Sequence, residues 1–192
     1  MPHLLLKDLP RYECLLEAAK EFPDLDPSAA EAFLHLLRTG DEAFGATEAH
    51  LSSFHISQGR FGVLMLLWRG AQSRTDKPLD VGDCAGPRPP AELADAAGVT
   101  RATMTGLIDT LERDGYVVRE PDPSDRRMLS VRLTAKGEQF LQDFLPGHFR
   151  IVASVMSTLS ETERKTLVRL LTKVQQHASA LRSSAANVAS PA

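Results

Sequence analysis

Cysteine is almost missing. The chain has 192 residues and two cysteines, Cys14 and Cys84. They lie in different segments and form no Cys-x-x-Cys pair, which speaks against a zinc knuckle or a thioredoxin-like site. Long apolar runs are missing too. No stretch of about 18 apolar residues occurs, so no membrane span is expected. The start, Met1 to Asp8, holds three leucines before charge returns, unlike a secretory leader. The expected location is the cytoplasm, where both thiols stay reduced. The six histidines are scattered. His50 and His55 miss the i, i+4 spacing of a helical metal pair, so no metal site is expected. There is no nucleophile elbow, no phosphate-cradling glycine loop and no convergent carboxylate pair. The chain does not read as an enzyme and implies no cofactor. An excess of basic charge is also lacking: 22 Lys and Arg face 25 Asp and Glu, a net charge of −3.

What is present is a globular apolar fraction, 43%, and one informative stretch, Pro89 to Lys136. Pro90 suits the first turn of a helix. That helix is expected to bury Leu93, Ala94 and Ala97 and to stop at Gly98, which accepts a left-handed end. Thr100 then caps a second helix. Met104, Leu107, Ile108 and Leu111 recur at i, i+3, i+4 and i+7, so one face is core. Arg101, Ala102, Thr105, Gly106 and Asp109 lie off that stripe, and their small members allow close approach of another backbone. Asp114-Gly115 ends the helix. Tyr116 to Glu120 and Met128 to Leu133 have strand composition. The tip between them, Pro121 to Arg127, carries Arg126-Arg127. A helix pair followed by an arginine-tipped hairpin fits DNA: the second helix enters a major groove about 12 Å wide and the tip enters the minor groove.

The run ELADAAGVTRATMTGLIDTLERDGYVVRE, then DPSDRR, then VRLTAKG, resembles the MarR (multiple antibiotic resistance regulator) family of winged-helix transcription factors. The pairing of an Asp-Arg-Arg wing with Leu-Thr-x-x-Gly carries the resemblance, which spans roughly residues 51–171. It implies a mainly α fold with a small β-hairpin wing. A winged helix-turn-helix would be joined to N- and C-terminal dimerisation helices. It also implies a homodimer on a palindromic operator in double-stranded DNA, most often as a repressor. Residues 87–137 hold eight basic and eight acidic side chains. Non-specific attraction to phosphate is therefore expected to be weak, and specific binding rests on a few placed arginines.

Read in order, residues 1–27 form an N-terminal helical extension, capped by Asp8 with Pro10 in its first turn. Residues 28–69 hold the dimerisation and central helices. Ser28 and Glu31 have the spacing of a capping box, and Phe61 to Trp68 is apolar nearly all round, the mark of a buried helix. Residues 70–89 read as a long loop, longer than the resembled family uses. Residues 90–137 are the winged helix-turn-helix. Residues 138–182 supply C-terminal dimerisation helices, with a kink or break expected at Pro146-Gly147 and a capping box at Ser160 and Glu163. Residues 183–192 read as a disordered tail.

By this resemblance Arg127 is the minor-groove arginine, Asp125 its orienting partner through a charge-assisted hydrogen bond, and Arg126 a phosphate contact. Arg101 suits a guanine edge. Thr103 and Thr105 fall at base-reading positions, with local capping as the alternative role. The family often holds a small aromatic acid between its dimer helices and its winged domain. His55, Arg60, Phe61, Met65 and Trp68 would supply aromatic walls and a cation for an aromatic carboxylate, although simple core packing is the favoured reading of Met65 and Trp68. Urate-responsive members carry an acid after the aromatic residue here; Gly62 follows Phe61, which speaks against urate. Two other readings stay open. One is a winged-helix protein-interaction module without DNA. The other is a thiol-based redox regulator, although the sequence around Cys14 does not match the peroxide-sensing pattern.

Overall fold

Two residues decide where the central helices begin: Asp26 before Pro27, and Ser57 before Gln58. In the computed structural model, which describes residues 8–72, 87–121 and 128–188, helix α2 runs Pro27–Ser53. The Asp26 carboxylate accepts from the Ser28 amide at 2.9 Å and the Ala29 amide at 3.1 Å. The Ala29 bond, then those from Ser28, hold Asp26 below the usual carboxylate range. This corrects the capping box expected at Ser28 and Glu31. Pro27, with φ already fixed, starts the helix two residues earlier than a cap at Ser28 would. Helix α1, Tyr12–Glu21, by contrast starts later than expected, with Arg11 rather than Asp8 at its cap. Leu9 precedes a proline and is steered away from helical angles.

Helix α3, Gln58–Gln72, is the strut of the first compact unit. Its first turn closes from the Phe61 amide to the Ser57 carbonyl at 2.9 Å. Phe61, Val63, Leu64 and Leu67 are buried along it, and it touches α2, the next two helices and the second strand of the hairpin. It continues to Gln72, three residues into the stretch expected as loop. The other end of that stretch is ordered as well. The Arg88 amide donates to the Val131 carbonyl at 3.0 Å, and the Val131 amide returns the bond at 2.8 Å. The part of the expected loop between them lies outside the described residues.

Helix α4 spans Pro90–Ala97 and ends on Gly98 at φ 65°. It buries Leu93 and Ala94, but Ala97 is exposed, contrary to expectation. Ala97 lies four residues past Leu93, but α4 stops there and its last turn faces an open cavity. Helix α5, Arg101–Arg113, is capped by Thr100. Met104, Ile108 and Leu111 are fully buried, each burial worth about 1.5–3 kcal/mol. Strands β1, Val117–Pro121, and β2, Leu129–Leu133, pair antiparallel with Val117 opposite Leu133.

Helix α6, Ala135–Val155, packs Leu141, Phe144 and Leu145 into the core. It continues through Pro146 to Val155, so the chain does not break there. Proline removes one N–H from the ladder, and the turn around it is fixed by packing. The His50 ring stacks on Phe144 at 4.5 Å between centroids, with Nε2 3.2 Å from the Phe144 carbonyl oxygen. Gly147 makes room for that ring, since a Cβ there would lie 2.6 Å from His50 Cε1.

The second compact unit is Arg150–Ala192. Its helix α7, Glu161–Val188, opens with the expected capping box. The Glu163 carboxylate accepts from the Ser160 amide at 2.8 Å, and Ser160 Oγ accepts from the Glu163 amide at 3.3 Å. The helix continues past Ser183 to Val188, in a stretch expected as a disordered tail, and the rest of that tail, 189–192, lies outside the described residues. That stretch includes Ala185 and Ala186, and alanine is the strongest helix former. Among the described residues no helix is long and apolar enough to cross a membrane.

Candidate nucleic-acid interface

Helix α5 presents its N-terminus and one face to solvent. Arg101, Thr103, Thr105 and Gly106 are all exposed. Thr100 Oγ1 accepts from the Thr103 amide at 3.1 Å and lies 2.9 Å from Thr103 Oγ1. Thr105 donates its hydroxyl to the Arg101 carbonyl at 2.9 Å. Both threonine hydroxyls thus have local partners, and each retains acceptor capacity for a further bond. No atom lies within 4 Å of a Cβ placed on Gly106, so this face is open. Arg101 sits beside the positive end of the helix dipole, an arrangement that favours an approaching phosphate.

The acidic side of α5 is neutralised from the wing. Arg119 of β1 pairs with Glu112 and reaches Asp109. Its backbone amide donates to Glu112 Oε1 at 3.0 Å. Burial works against the Arg119 charge, but the bonds and charges of Asp109 and Glu112 outweigh it, so the guanidinium holds its proton more tightly than usual. One strand arginine therefore locks the hairpin to the helix and neutralises two carboxylates on that side of α5. The sequence reading missed Arg119. The available signal was Asp109 and Glu112 at i, i+3 on one helix face, followed by a basic residue on the adjoining strand. Across the hairpin, Arg132 Nε donates to Glu120 at 2.7 Å. The tip residues Asp125, Arg126 and Arg127 lie outside the described residues.

The five candidate effector residues do not converge. His55 and Arg60 line one cavity of about 480 Å³ between the end of α2 and the start of α3. Phe61 and Met65 line another of about 530 Å³, shared with α4, α5 and His148. Trp68 faces a third, against α6. Arg60 faces about 100° away from Phe61 around the helix, whereas Phe61, Met65 and Trp68 share one side at i, i+4 and i+7, and Trp68 lies about two turns further along the axis. His148 was not among the candidates. Burial, then the charge of His50, pushes it below the usual histidine range, and its Nδ1 is buried without a partner. Among the described residues no group of three or more His, Cys, Asp or Glu is placed to hold a metal.

The MarR family profile matches residues 83–129, the segment from the end of the loop through the wing. The HTH-type transcriptional repressor YetL of Bacillus subtilis is 35% identical over 166 residues, which cover 86% of this chain and 92% of YetL. The chain belongs to the MarR family. Solved MarR-type structures share its fold. Sco3205 of Streptomyces coelicolor, a MarR family transcriptional regulator in complex with DNA, superposes with a TM-score of 0.65 at 22% identity, over 80% of this chain and 92% of Sco3205. BpsR of Bordetella bronchiseptica, whose DNA binding is regulated by 6-hydroxynicotinic acid, superposes at 0.59 with 24% identity, over 73% of this chain and 91% of its own. As a MarR family member the chain is a DNA-binding transcriptional regulator, and its relatives are regulators rather than enzymes. The family's helix-turn-helix is α4 and α5, and β1 and β2 form the wing.

Proposed function

We propose that the protein is a homodimeric repressor that binds a palindromic operator and is released by a small aromatic acid. The observation that carries this reading is the face of α5: an exposed Arg101 and an open Gly106 beside carboxylates already neutralised by Arg119. Arg101 reads the major groove, with Thr103 and Thr105 beside it. Arg127 enters the minor groove, oriented by Asp125, and Arg126 meets a phosphate. The dimer is supported by exposed apolar side chains on long helices, Phe33 and Phe44 on α2 and Val168 and Val174 on α7. Apolar patches of this kind mark association surfaces, and two-fold symmetry matches a palindrome. Repression is supported by the name of the Bacillus subtilis relative. An aromatic acid is supported by the ligand of BpsR and by cavities of suitable size.

The test is Arg127→Ala, with fluorescence anisotropy on duplex DNA from upstream of the protein's own gene. A lost groove contact costs about 1–3 kcal/mol per half-site, doubled in a dimer. The salt slope should also fall by about one unit for each counterion no longer released. Asp125→Ala should cost less, since it removes only orientation. Operator affinity equal to the parent at the same salt would refute the wing assignment.

A further inference from the structure

We propose that the outer face of α5 reads the C5 methyl group of thymine, so that each half-site carries a thymine within about two base pairs of the guanine met by Arg101. This deepens, and rests on, the reading above in which α5 enters the major groove. It adds which chemical feature of the bases this chain selects.

The core decides which face this is. Met104, Ile108 and Leu111 are fully buried on one side of α5. At about 100° per residue, the opposite ridge is Ala102, Gly106, Asp109 and Arg113, and all four are exposed. The first two carry no polar side-chain atom. Ala102 ends in a methyl group, and Gly106 leaves open the space where a Cβ would stand, with no atom within 4 Å of it. Thr105 flanks them. Its hydroxyl donates to the Arg101 carbonyl at 2.9 Å, which leaves the Cγ2 methyl as its free branch. The other two threonines of α5 are turned back in the same way. Thr103 Oγ1 lies 2.9 Å from Thr100 Oγ1, and Thr110 donates to the Leu107 carbonyl at 2.8 Å.

In the major groove thymine presents the O4 acceptor and a methyl group, and cytosine presents an N4 amino donor and no methyl group. Threonine hydroxyls already donating within the helix have no proton left for O4. Methyl groups on Ala102 and Thr105 gain by covering the thymine methyl, and Gly106 lets the base edge approach the helix backbone. The charged members of the ridge do not compete for the same base. A free carboxylate would select cytosine through N4, but Asp109 Oδ1 is held by Arg119 of the wing. Arg113 lies about 10 Å beyond Gly106 along the axis, roughly three base-pair steps away. Arg101 lies about 6 Å before Thr105, close to two steps, which sets the spacing of guanine and thymine.

A pool of random duplexes selected on the parent protein supplies the half-site. Anisotropy then compares thymine, uracil, cytosine and 5-methylcytosine at the thymine position, each with its complement. Uracil lacks only the methyl group, and 5-methylcytosine carries it on the opposite hydrogen-bond pattern. Affinity should follow the methyl group. Thymine and 5-methylcytosine should agree within about twofold, with uracil and cytosine weaker by about fourfold in one half-site and about fifteenfold in both, the scale of one buried methylene per contact. Thr105→Ser removes the protein's methyl group and keeps its hydroxyl, so the loss from thymine to uracil should shrink to about twofold or less in this variant, a coupling that cancels any general effect of the substitution. Selected half-sites without thymine in that window, equal affinity for thymine and uracil, or a uracil loss undiminished in Thr105→Ser overturns the proposal. Cytosine bound more tightly than 5-methylcytosine overturns it too, and shows Thr105 accepting from N4. 7-Deazaguanine at the guanine position removes the N7 acceptor and tests the underlying reading by itself. If it weakens binding while uracil does not, α5 still reads the groove and only the methyl proposal falls. If neither substitution weakens binding, the major-groove reading falls as well.

Discussion

Gly137→Ala should destabilise the protein, although alanine is the better helix former. Gly137 is buried in the first turn of α6. A Cβ there would lie 2.2 Å from the Tyr116 carbonyl oxygen and 3.2 Å from Leu133 Cδ2. Carbon–oxygen contacts in proteins settle near about 3.3–3.6 Å, so the helix would have to move by about 1 Å. The oxygen cannot yield cheaply, because it accepts from the Thr134 amide at 3.0 Å. Thr134 in turn caps α6, with its Oγ1 accepting from the Gly137 amide at 3.1 Å and donating to the Gly115 carbonyl at 2.7 Å. Overpacking costs about 1–3 kcal/mol, and a weakened cap about 1 kcal/mol more. Helix propensity returns about 0.8–1.0 kcal/mol. The net loss is about 1–3 kcal/mol, which lowers Tm by roughly 2–4 °C per kcal/mol in a chain of this size. Gly106→Ala is the matched control. No atom lies within 4 Å of its Cβ, so it should gain about 0.5–1 kcal/mol while weakening DNA binding by crowding the open face. Urea unfolding at constant m-value measures both. A Gly137→Ala protein as stable as the parent would refute the close-contact account, and so would equal losses in the two variants.

Arg119→Ala should speed hydrogen exchange of the Val117–Pro121 amides and lower operator affinity about tenfold, the scale of a lost charged hydrogen bond. The slope against salt should stay unchanged, because no phosphate contact is removed; a slope reduced by one unit per half-site would show instead that Arg119 touches DNA. His148 makes stability depend on pH. Its folded-state pKa lies below the unfolded value of about 6.5, so the unfolded chain takes up the proton first. Stability is then fully present above that range and declines as pH falls through it towards the folded value. Tm should drop between about pH 7 and pH 5, and His148→Phe should flatten that segment of the profile. A profile of unchanged shape in His148→Phe would refute the assignment.

Legibility in the sequence followed the range of the interactions. Thr100, Gly98 and the Ser160–Glu163 box were readable because a cap or a left-handed end is decided within four residues. The period of Met104, Ile108 and Leu111 was readable because one helix face meets one core. Where two local signals competed, the outcome was not readable. Asp26-Pro27 and Ser28 with Glu31 are both valid starts for α2, and the proline favoured the first. Pro146 reads as a break because the support for its turn, His50 on Phe144 beside Gly147, comes from 94 residues away along the chain. Arg119 escaped notice because its partners sit on a different element. The effector candidates were gathered from neighbouring positions in sequence, but His55 precedes α3 and Trp68 lies about two turns beyond Phe61 along it, so the three line different cavities.

The bridge between Arg88 and Val131 has a consequence beyond the hairpin itself. Val131 pairs with Arg119 on one side and Arg88 on the other, so the outer edge of the hairpin is partly occupied. An uncovered edge is where sheets of separate molecules join, and here the chain shields part of its own. The same bridge anchors the stretch that follows α3 just before α4 begins. The position of Arg88, two residues before α4, is therefore set from the wing, so the entry to the helix-turn-helix and the hairpin move as one piece.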